Sequence, residues 1–306
     1  WLRAAGGPAG GRRPAEPLKV VIVGAGPAGL CLASVLAQHP RFSVRIIESR
    51  PDPQELGAQG PGRSHSIGLS LRAREALLAA GGEELWSLVA GRGIPADKFA
   101  LHLDGLDLNL PPTEDEPALL VDRGELTVAL QEHLAGIQGS TVALEYSSPV
   151  MSVDLVRRSV TVRRERRGDE VEAIPYDLLL GCDGVRSPVR RAMSSQLPSG
   201  AFESEVRLLP GRWKTLHMDM PPDLESDTVH ATVSPSAPFG LFTIPAPASK
   251  PACTIVSWST DAVPQELLDA KTPEELTGVL KEFFPKFADV PTEAAERFLT
   301  QRPSRA

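Results

Sequence analysis

The chain has 306 residues, 42% of them apolar and 23% charged, the balance of an ordinary globular protein with one or two domains. Its formal charge of −7 argues against nucleic acid as the main partner, because phosphate binding requires a basic surface. No uncharged apolar run approaches the ~20 residues a membrane span needs, so this stretch shows no membrane segment.

The first residue is Trp1, so the sequence is read as beginning inside an open reading frame or after processing. Residues 1–17 are rich in Gly, Pro, Ala and Arg, with Glu16 the only acid. They read as a disordered leader, the tail of a plastid or mitochondrial transit peptide being the alternative. Order is expected from Leu18. Lys19-Val20-Val21-Ile22-Val23 is a short, continuous, β-branched run, the pattern of a strand buried on both faces. Gly24-Ala25-Gly26-Pro27-Ala28-Gly29 follows directly, and Leu30, Leu32, Ala33, Leu36 and Ala37 then repeat at helical spacing until Pro40. Ser43 to Ile47 is a second apolar strand with Glu48 at its exit, completing a strand–turn–helix–strand unit of about 30 residues.

A polar, Gly-rich loop is expected from Gly57 to Gly62, then a helix over Ser70 to Ala80 stopped by Gly81-Gly82. Residues 99–110 alternate weakly, Pro111 to Pro117 is an acidic turn, and Asp122 begins a helix with Leu126, Leu130 and Leu134 on one face. Val150 to Val162 and Val171 to Leu180 flank a hairpin turn at Arg167-Gly168-Asp169-Glu170. The basic run Arg163 to Arg167 reads as a solvated hairpin tip, since acids follow at once and no aromatics interleave. Leu216 to Met220, Val229 to Val233, Leu241 to Ile244 and Cys253 to Trp258 alternate with Pro-rich turns and predict an antiparallel sheet. Thr272-Pro273-Glu274-Glu275 starts a helix running to Phe284.

Chemistry is concentrated at the glycine turn. Gly24 permits the tight turn, the bare Gly26 lets a pyrophosphate approach the backbone, and Gly29 lets helix and strand pack closely. Free N–H groups at the helix N-terminus complement phosphate charge. Glu48, about 20 residues on, suits a ribose hydroxyl. These features point to a dinucleotide without choosing FAD over NAD. Cys31, Cys182 and Cys253 have no metal-ligand spacing and read as buried, reduced thiols of an intracellular protein; no metal is expected. His102 and His217 lie in strand-like runs and read as structural, and no catalytic acid or base is assigned.

Gly24-Ala25-Gly26-Pro27-Ala28-Gly29-Leu30 resembles the first fingerprint of the flavoprotein aromatic hydroxylases, the class A flavoprotein monooxygenases. Leu178-Leu179-Leu180-Gly181-Cys182-Asp183-Gly184-Val185-Arg186-Ser187-Pro188 resembles their second, Asp-Gly fingerprint. Gly62-Arg63-Ser64 through Leu77, Arg123 with Leu126, Ile244-Pro245 and Phe283-Phe284-Pro285 are similar to the kynurenine monooxygenase branch, so the resemblance covers residues 18 to about 300.

The resemblance implies an α/β fold: a Rossmann-like, three-layer FAD-binding domain with an attached antiparallel substrate sheet. It places a leader at 1–17, the FAD domain at 18–200 with 95–118 on the substrate side, and the substrate-side sheet and helix at 201–306. It implies FAD as cofactor, NADPH as co-substrate, and molecular oxygen with a small aromatic as reactants, hydroxylation proceeding through a flavin hydroperoxide. By position, Gly24, Gly26, Ala28 and Gly29 would face the pyrophosphate and Glu48 with Arg50 the adenosine ribose. Arg63, Gly68 and Arg123 would line the flavin channel, Val150 the adenine side, and Asp183 with Gly184 the pyrophosphate and ribityl chain. A related epoxidase or reductase acting on an isoprenoid, and a non-catalytic FAD-fold protein, are the competing readings.

Two departures stand out. The arginine and tyrosine that hold the substrate carboxylate in kynurenine monooxygenases fall on Phe99 and Pro112, and neither pairs with a carboxylate. Lys98 is adjacent but points to the opposite face of its strand. The reading therefore favours an aromatic without that carboxylate. The family's third motif, a Gly-Asp before a glycine-rich helix, does not occur: the only Gly-Asp is Gly168-Asp169. The sheet is thus expected to be C-terminally incomplete, and the 306 residues alone to hold FAD poorly.

Overall fold

The computed structural model describes residues 16–56, 65–96, 98–111, 117–137, 139 and 141–305. The Gly57–Gly62 loop, Arg63 and Pro112 lie outside them. In chain order the first elements are β1 (Leu18–Val23), α1 (Pro27–Ala37), β2 (Phe42–Ile47), α2 (Pro53–Leu56), β3 (Ser66–Leu69) and α3 (Leu71–Ala90). There follow β4 (Ile94–Ala96), β5 (Lys98–Leu103), β6 (Leu106–Leu110), β7 (Ala118–Asp122), α4 (Arg123–Gly136), β8 (Val142–Glu145), β9 (Val150–Asp154) and β10 (Ser159–Arg164). The remainder are β11 (Glu170–Pro175), β12 (Leu178–Gly181), α5 (Pro188–Gln196), β13 (Gly211–Met218), β14 (Thr228–Val233), β15 (Gly240–Ile244) and β16 (Ala252–Ser259). α6 (Gln265–Asp269), α7 (Pro273–Phe283), α8 (Thr292–Thr300) and β17 (Ser304–Arg305) close the chain. Contacts divide it into two units, residues 1–50 with 136–202, and 51–135 with 203–306.

The first unit is built on a parallel sheet ordered β12-β1-β2-β8. Both faces of β1 are covered, as its unbroken β-branched run demands. Val21, Val23 and Ile47 pack against Val153, Val160, Val162 and Ile174 of the antiparallel sheet β11-β10-β9, while α1 packs on β1 and β2. Helix, parallel sheet and antiparallel sheet make the three layers expected. Ile22, Leu30 and Ile46 are completely buried, each contributing about 1.5–3 kcal/mol.

Two expectations need correction here. The runs 150–162 and 171–180 are not single strands. The first turns back on itself as the β9–β10 hairpin with a bulge at Thr161/Val162, and the second divides between β11 and β12, which belong to different sheets. Nor is Arg164 part of a solvated tip. It is only 5% exposed, its guanidinium held between Glu145 and Glu172 (Nη2 to Oε2, 2.6 Å), with Arg45 pairing to the same two acids. A buried guanidinium requires such partners, and they come from two other strands, β8 and β11.

The second unit carries a seven-stranded sheet ordered β17-β13-β16-β15-β14-β5-β6. It is antiparallel as expected except for β14 and β5, which run parallel. Leu216, Leu241, Val256 and Trp258 on one face pack against Leu267, Leu276, Leu280, Phe287 and Phe298 of the α6–α8 region. Thr272 caps α7, its Oγ1 accepting from Glu275 N–H at 3.2 Å, as its sequence spacing predicts. On the other face Ile244 clusters with Ala96 and Leu120 of the small sheet β3-β7-β4. β7 was not anticipated from the sequence. Gly81-Gly82 break α3 without ending it: Gly82 takes a φ of +64°, and helix resumes to Ala90 because Leu85 and Val89 are buried. A Cβ at Gly81 would lie 2.4 Å from the His133 ring of α4, so close helix contact explains the bare residue. Among the described residues, no helix is long and apolar enough to cross a membrane.

Candidate cofactor site

In the first unit the glycine turn, the acid after β2 and the end of β12 meet in one place. Gly24 leaves β1 with a φ of +102° and donates its N–H to Ile47 O at 2.8 Å. A Cβ there would lie 2.3 Å from Cys182 O and 3.0 Å from the Asp183 Cα. Gly29 is buried in the first turn of α1, where a Cβ would lie 2.0 Å from Gly24 O and 3.3 Å from the Cys182 Cβ. Absent side chains thus let β1, α1 and β12 close on one another. Gly26 differs. It caps α1 in an ordinary extended conformation (φ −74°), with no side-chain cap bond, and a Cβ would meet nothing within 4 Å. The helix end behind it therefore faces open space, and Ala28 in its first turn is exposed.

Glu48 is 5% exposed. Its Oε2 accepts from Ala25 N–H at 2.9 Å, and its Oε1 from Arg50 N–H at 2.9 Å, Arg50 Nε at 3.0 Å and Ser49 Oγ at 3.2 Å. Burial pushes its carboxyl up, but the Arg50 side chain and the N–H groups of Arg50 and Ala25 outweigh that, holding it below the usual range. Among the described residues Oε2 accepts the Ala25 bond, and a carboxylate oxygen accommodates about two, leaving it able to accept a hydroxyl. The acid also ties β2 to the turn, which sequence spacing did not reveal. Glu48→Gln is expected to lower stability by about 1–3 kcal/mol, because an amide nitrogen would face an N–H donor. The sign with pH follows from the lowered carboxyl. Its contribution is complete above the unfolded value of about 4.3 and is lost as pH falls through the folded value. Urea melts at neutral and acid pH should show the Glu48→Gln difference shrinking in acid.

Asp183, two residues beyond β12, accepts from Val189 N–H through Oδ2 at 3.2 Å, while Ser187 Oγ caps α5 by accepting from Arg190 N–H at 2.9 Å. Gly184 takes a φ of +72° and is exposed. Val150, at the start of β9, is partly buried against the Val153–Val160 cluster. None of the three cysteines forms a disulfide. Burial raises the thiols of Cys31 and Cys182 and pushes Cys253 up to about 11, so none is a ready thiolate. Among the described residues, no group of three His, Cys, Asp or Glu side chains could hold a metal.

The second unit carries Gly68 and Arg123. Gly68 is exposed on β3, and a Cβ there would make ordinary contact with Leu120 at 3.6 Å. Arg123 opens α4, its N–H donating to His65 O at 3.1 Å, while Asp122 Oδ1 caps the helix by accepting from Gly124 N–H at 2.7 Å. The Arg123 guanidinium makes no ion pair among the described residues. Arg63 lies outside them.

A carboxylate-backed turn, a helix end bare of side-chain caps and an open cradle at Gly26 fit the pyrophosphate and ribose of a dinucleotide. Comparison with known proteins names it. Residues 17–302 match the family model described as an FAD binding domain. Kynurenine 3-monooxygenase of Salinispora arenicola is 33% identical over 202 residues, 65% of this chain and 42% of that protein. The 6-methylpretetramide 4-monooxygenase of Streptomyces rimosus is 29% identical over 241 residues, 76% of this chain and 39% of that protein. The chain thus spans well under half the length of these relatives. The solved tetrameric form of 2-methyl-3-hydroxypyridine-5-carboxylic acid oxygenase superposes with a TM-score of 0.70 at 18% identity, covering 94% of this chain and 70% of that one. With the family model spanning nearly every described residue, this chain belongs to the FAD-binding-domain family.

Proposed function

We propose that the protein containing this chain is an FAD-dependent monooxygenase that consumes NADPH and oxygen to hydroxylate a small aromatic compound. The observation that carries the reading is the convergence of Gly24, Gly29, Glu48 and Asp183 on one strand–helix junction, together with the monooxygenases among its relatives. Bound FAD supplies electron transfer from NADPH and the activation of oxygen. The chain's own part is binding and placement. The N-terminus of α1 behind Gly26, with Ala28, receives the pyrophosphate, and Glu48 Oε2 accepts a ribose hydroxyl, with Arg50 keeping the acid ionised. Asp183 and Gly184 border the same junction, Val150 stands on the adenine side, and Arg63, Gly68 and Arg123 serve the flavin end.

Phe99 bears on the substrate. Its ring packs against Phe242 on the next strand but one, with centroids 5.9 Å apart, on an apolar sheet face with Val229 and Ile255. Lys98 points the other way, its Nζ bound to Asp227 at 2.9 Å and Glu225 at 3.5 Å. No cation is therefore offered beside Phe99 by its neighbour, which supports an aromatic without a carboxylate over kynurenine. The test uses the full-length protein, purified with its flavin, and NADPH oxidation driven by phenol-type and carboxylated aromatics. Neutral rings should be preferred. Phe99→Arg should improve KM for the carboxylated compounds by about tenfold, the effect of one charge-assisted pair. Tightly coupled turnover of kynurenine by the unaltered protein would overturn the substrate reading, and absence of flavin the reading as a whole.

A further inference from the structure

The helix-covered face of the seven-stranded sheet holds a set of titratable groups that the proposed function does not use. His102 on β5 and His230 on β14 stack with ring centroids 5.2 Å apart and an interplanar angle of 27°. His102 Nδ1 lies 2.6 Å from Asp107 Oδ1 of β6, and His102 Nε2 lies 3.0 Å from His230 Nδ1. His230 Nε2 lies 2.9 Å from the carbonyl oxygen of Glu225. His230 is 2% exposed.

Proton counting follows from the two ends, which both only accept. The Glu225 carbonyl requires a proton on His230 Nε2. The Asp107 carboxylate requires one on His102 Nδ1. Between the rings, a hydrogen bond needs one donor and one bare nitrogen. If His230 is neutral, its Nδ1 is bare and His102 Nε2 must donate. Three contacts thus take three protons on two rings, and because His230 is the more deeply buried ring the third proton belongs on His102, an imidazolium beside a neutral His230. With two protons one contact lacks its donor. With four, two N–H groups confront each other at 3.0 Å between stacked cations.

We infer that this pair is a one-proton latch, fastening the β5–β6 hairpin to β14 near neutral pH and releasing it when His230 takes up a second proton in mild acid. Hairpin and β14 are otherwise joined, among the described residues, by the parallel β5–β14 ladder and by Lys98, which pairs with Asp227 and Glu225 just before β14. The surrounding charges are Asp107 with Lys286 near it at one end, and Glu225, Asp227 and Lys98 at the other. Burial, and the neighbouring His102, hold His230 below its ordinary value, against the opposing pull of the Glu225 carbonyl. The sign follows. On the acid side the latch's contribution is lost as pH falls below the unfolded value of about 6.5 and through the lower folded value of His230.

The test is made on the full-length protein with 15N-labelled histidine. Near pH 7, about where an unperturbed histidine titrates, His102 should show two protonated ring nitrogens and His230 a protonated Nε2 with a bare Nδ1. Hydrogen exchange over residues 98–110, corrected for intrinsic rates, should lose about tenfold in protection as His230 titrates, one pH unit corresponding to one power of ten. His230→Gln, which can still donate to Glu225 and accept from His102 but cannot titrate, should abolish that pH dependence. A neutral His102, or protection insensitive to pH, overturns the inference, as does a His230→Gln protein with the original pH dependence. Should His230→Gln fail to fold, the ring-nitrogen spectrum of the unaltered protein decides alone.

Discussion

Gly29→Ala and Gly24→Ala are expected to prevent the first unit from folding, in the absence of any cofactor. A methyl group on Gly29 would lie 2.0 Å from the Gly24 carbonyl oxygen, and one on Gly24 would lie 2.3 Å from that of Cys182. Both obstacles are backbone atoms just past the ends of β1 and β12, in residues whose N–H groups are bonded to Ile47 O and Val23 O, and they cannot swing aside. Separating α1 from β1 would uncover Leu30 and Ala33, which are completely buried. Overpacking of this kind costs about 1–3 kcal/mol when neighbours can shift, and more when they cannot. At Gly24 the φ of +102° adds a further penalty of about 1–2 kcal/mol for any residue with a Cβ. Against a typical total stability of about 5–15 kcal/mol, either change removes much of what holds the unit together. Thermal melts and soluble yield of the full-length protein are the measurements. A Gly29→Ala protein with unchanged melting would show that α1 does not pack as described.

Much of this site was legible in the sequence because it is local. A run of β-branched residues, a glycine turn, a helix and a second strand follow one another within about 30 residues, and each boundary is marked by a residue whose backbone preference is strong. Thr272 and Asp122 announced their helices for the same reason. What the sequence concealed is pairing across long separations. Nothing in Leu178–Leu180 says that it joins the sheet beside β1, while Val171, seven residues earlier, lies in another sheet. Arg164 reads as surface charge until Glu145 and Glu172 are brought to it by strands 19 and 8 residues away. The parallel pairing of β14 with β5 joins segments 130 residues apart in sequence. His102 and His230 lie on these two strands, and their interlocked rings become visible only with that register. Glu48 was legible as an acid at a strand end, but its bond to Ala25 N–H, which makes it a brace for the turn, depends on the three-dimensional turn itself.

Gly26→Ala separates binding from folding, and here the expected result is the opposite of that at Gly29. Its φ of −74° and ψ of 176° are open to any residue, and a Cβ meets nothing of the chain within 4 Å. Alanine should therefore leave the fold and its melting temperature unchanged without cofactor, or raise it slightly by restricting the unfolded chain. The added methyl would occupy the open side of the turn, in front of the N–H groups at the start of α1. A pyrophosphate received there would be held away from the donors that recognise it, and charge-assisted hydrogen bonds weaken steeply with distance. FAD affinity should fall by about ten- to a hundredfold, equivalent to about 1.4–2.8 kcal/mol. Titration of the flavin-stripped, full-length protein with FAD, followed by quenching of flavin fluorescence, measures this directly. Unchanged affinity in a well-folded Gly26→Ala protein would remove this turn from the cofactor site, whereas joint loss of folding and affinity would show that Gly26 is a packing residue like its neighbours at 24 and 29.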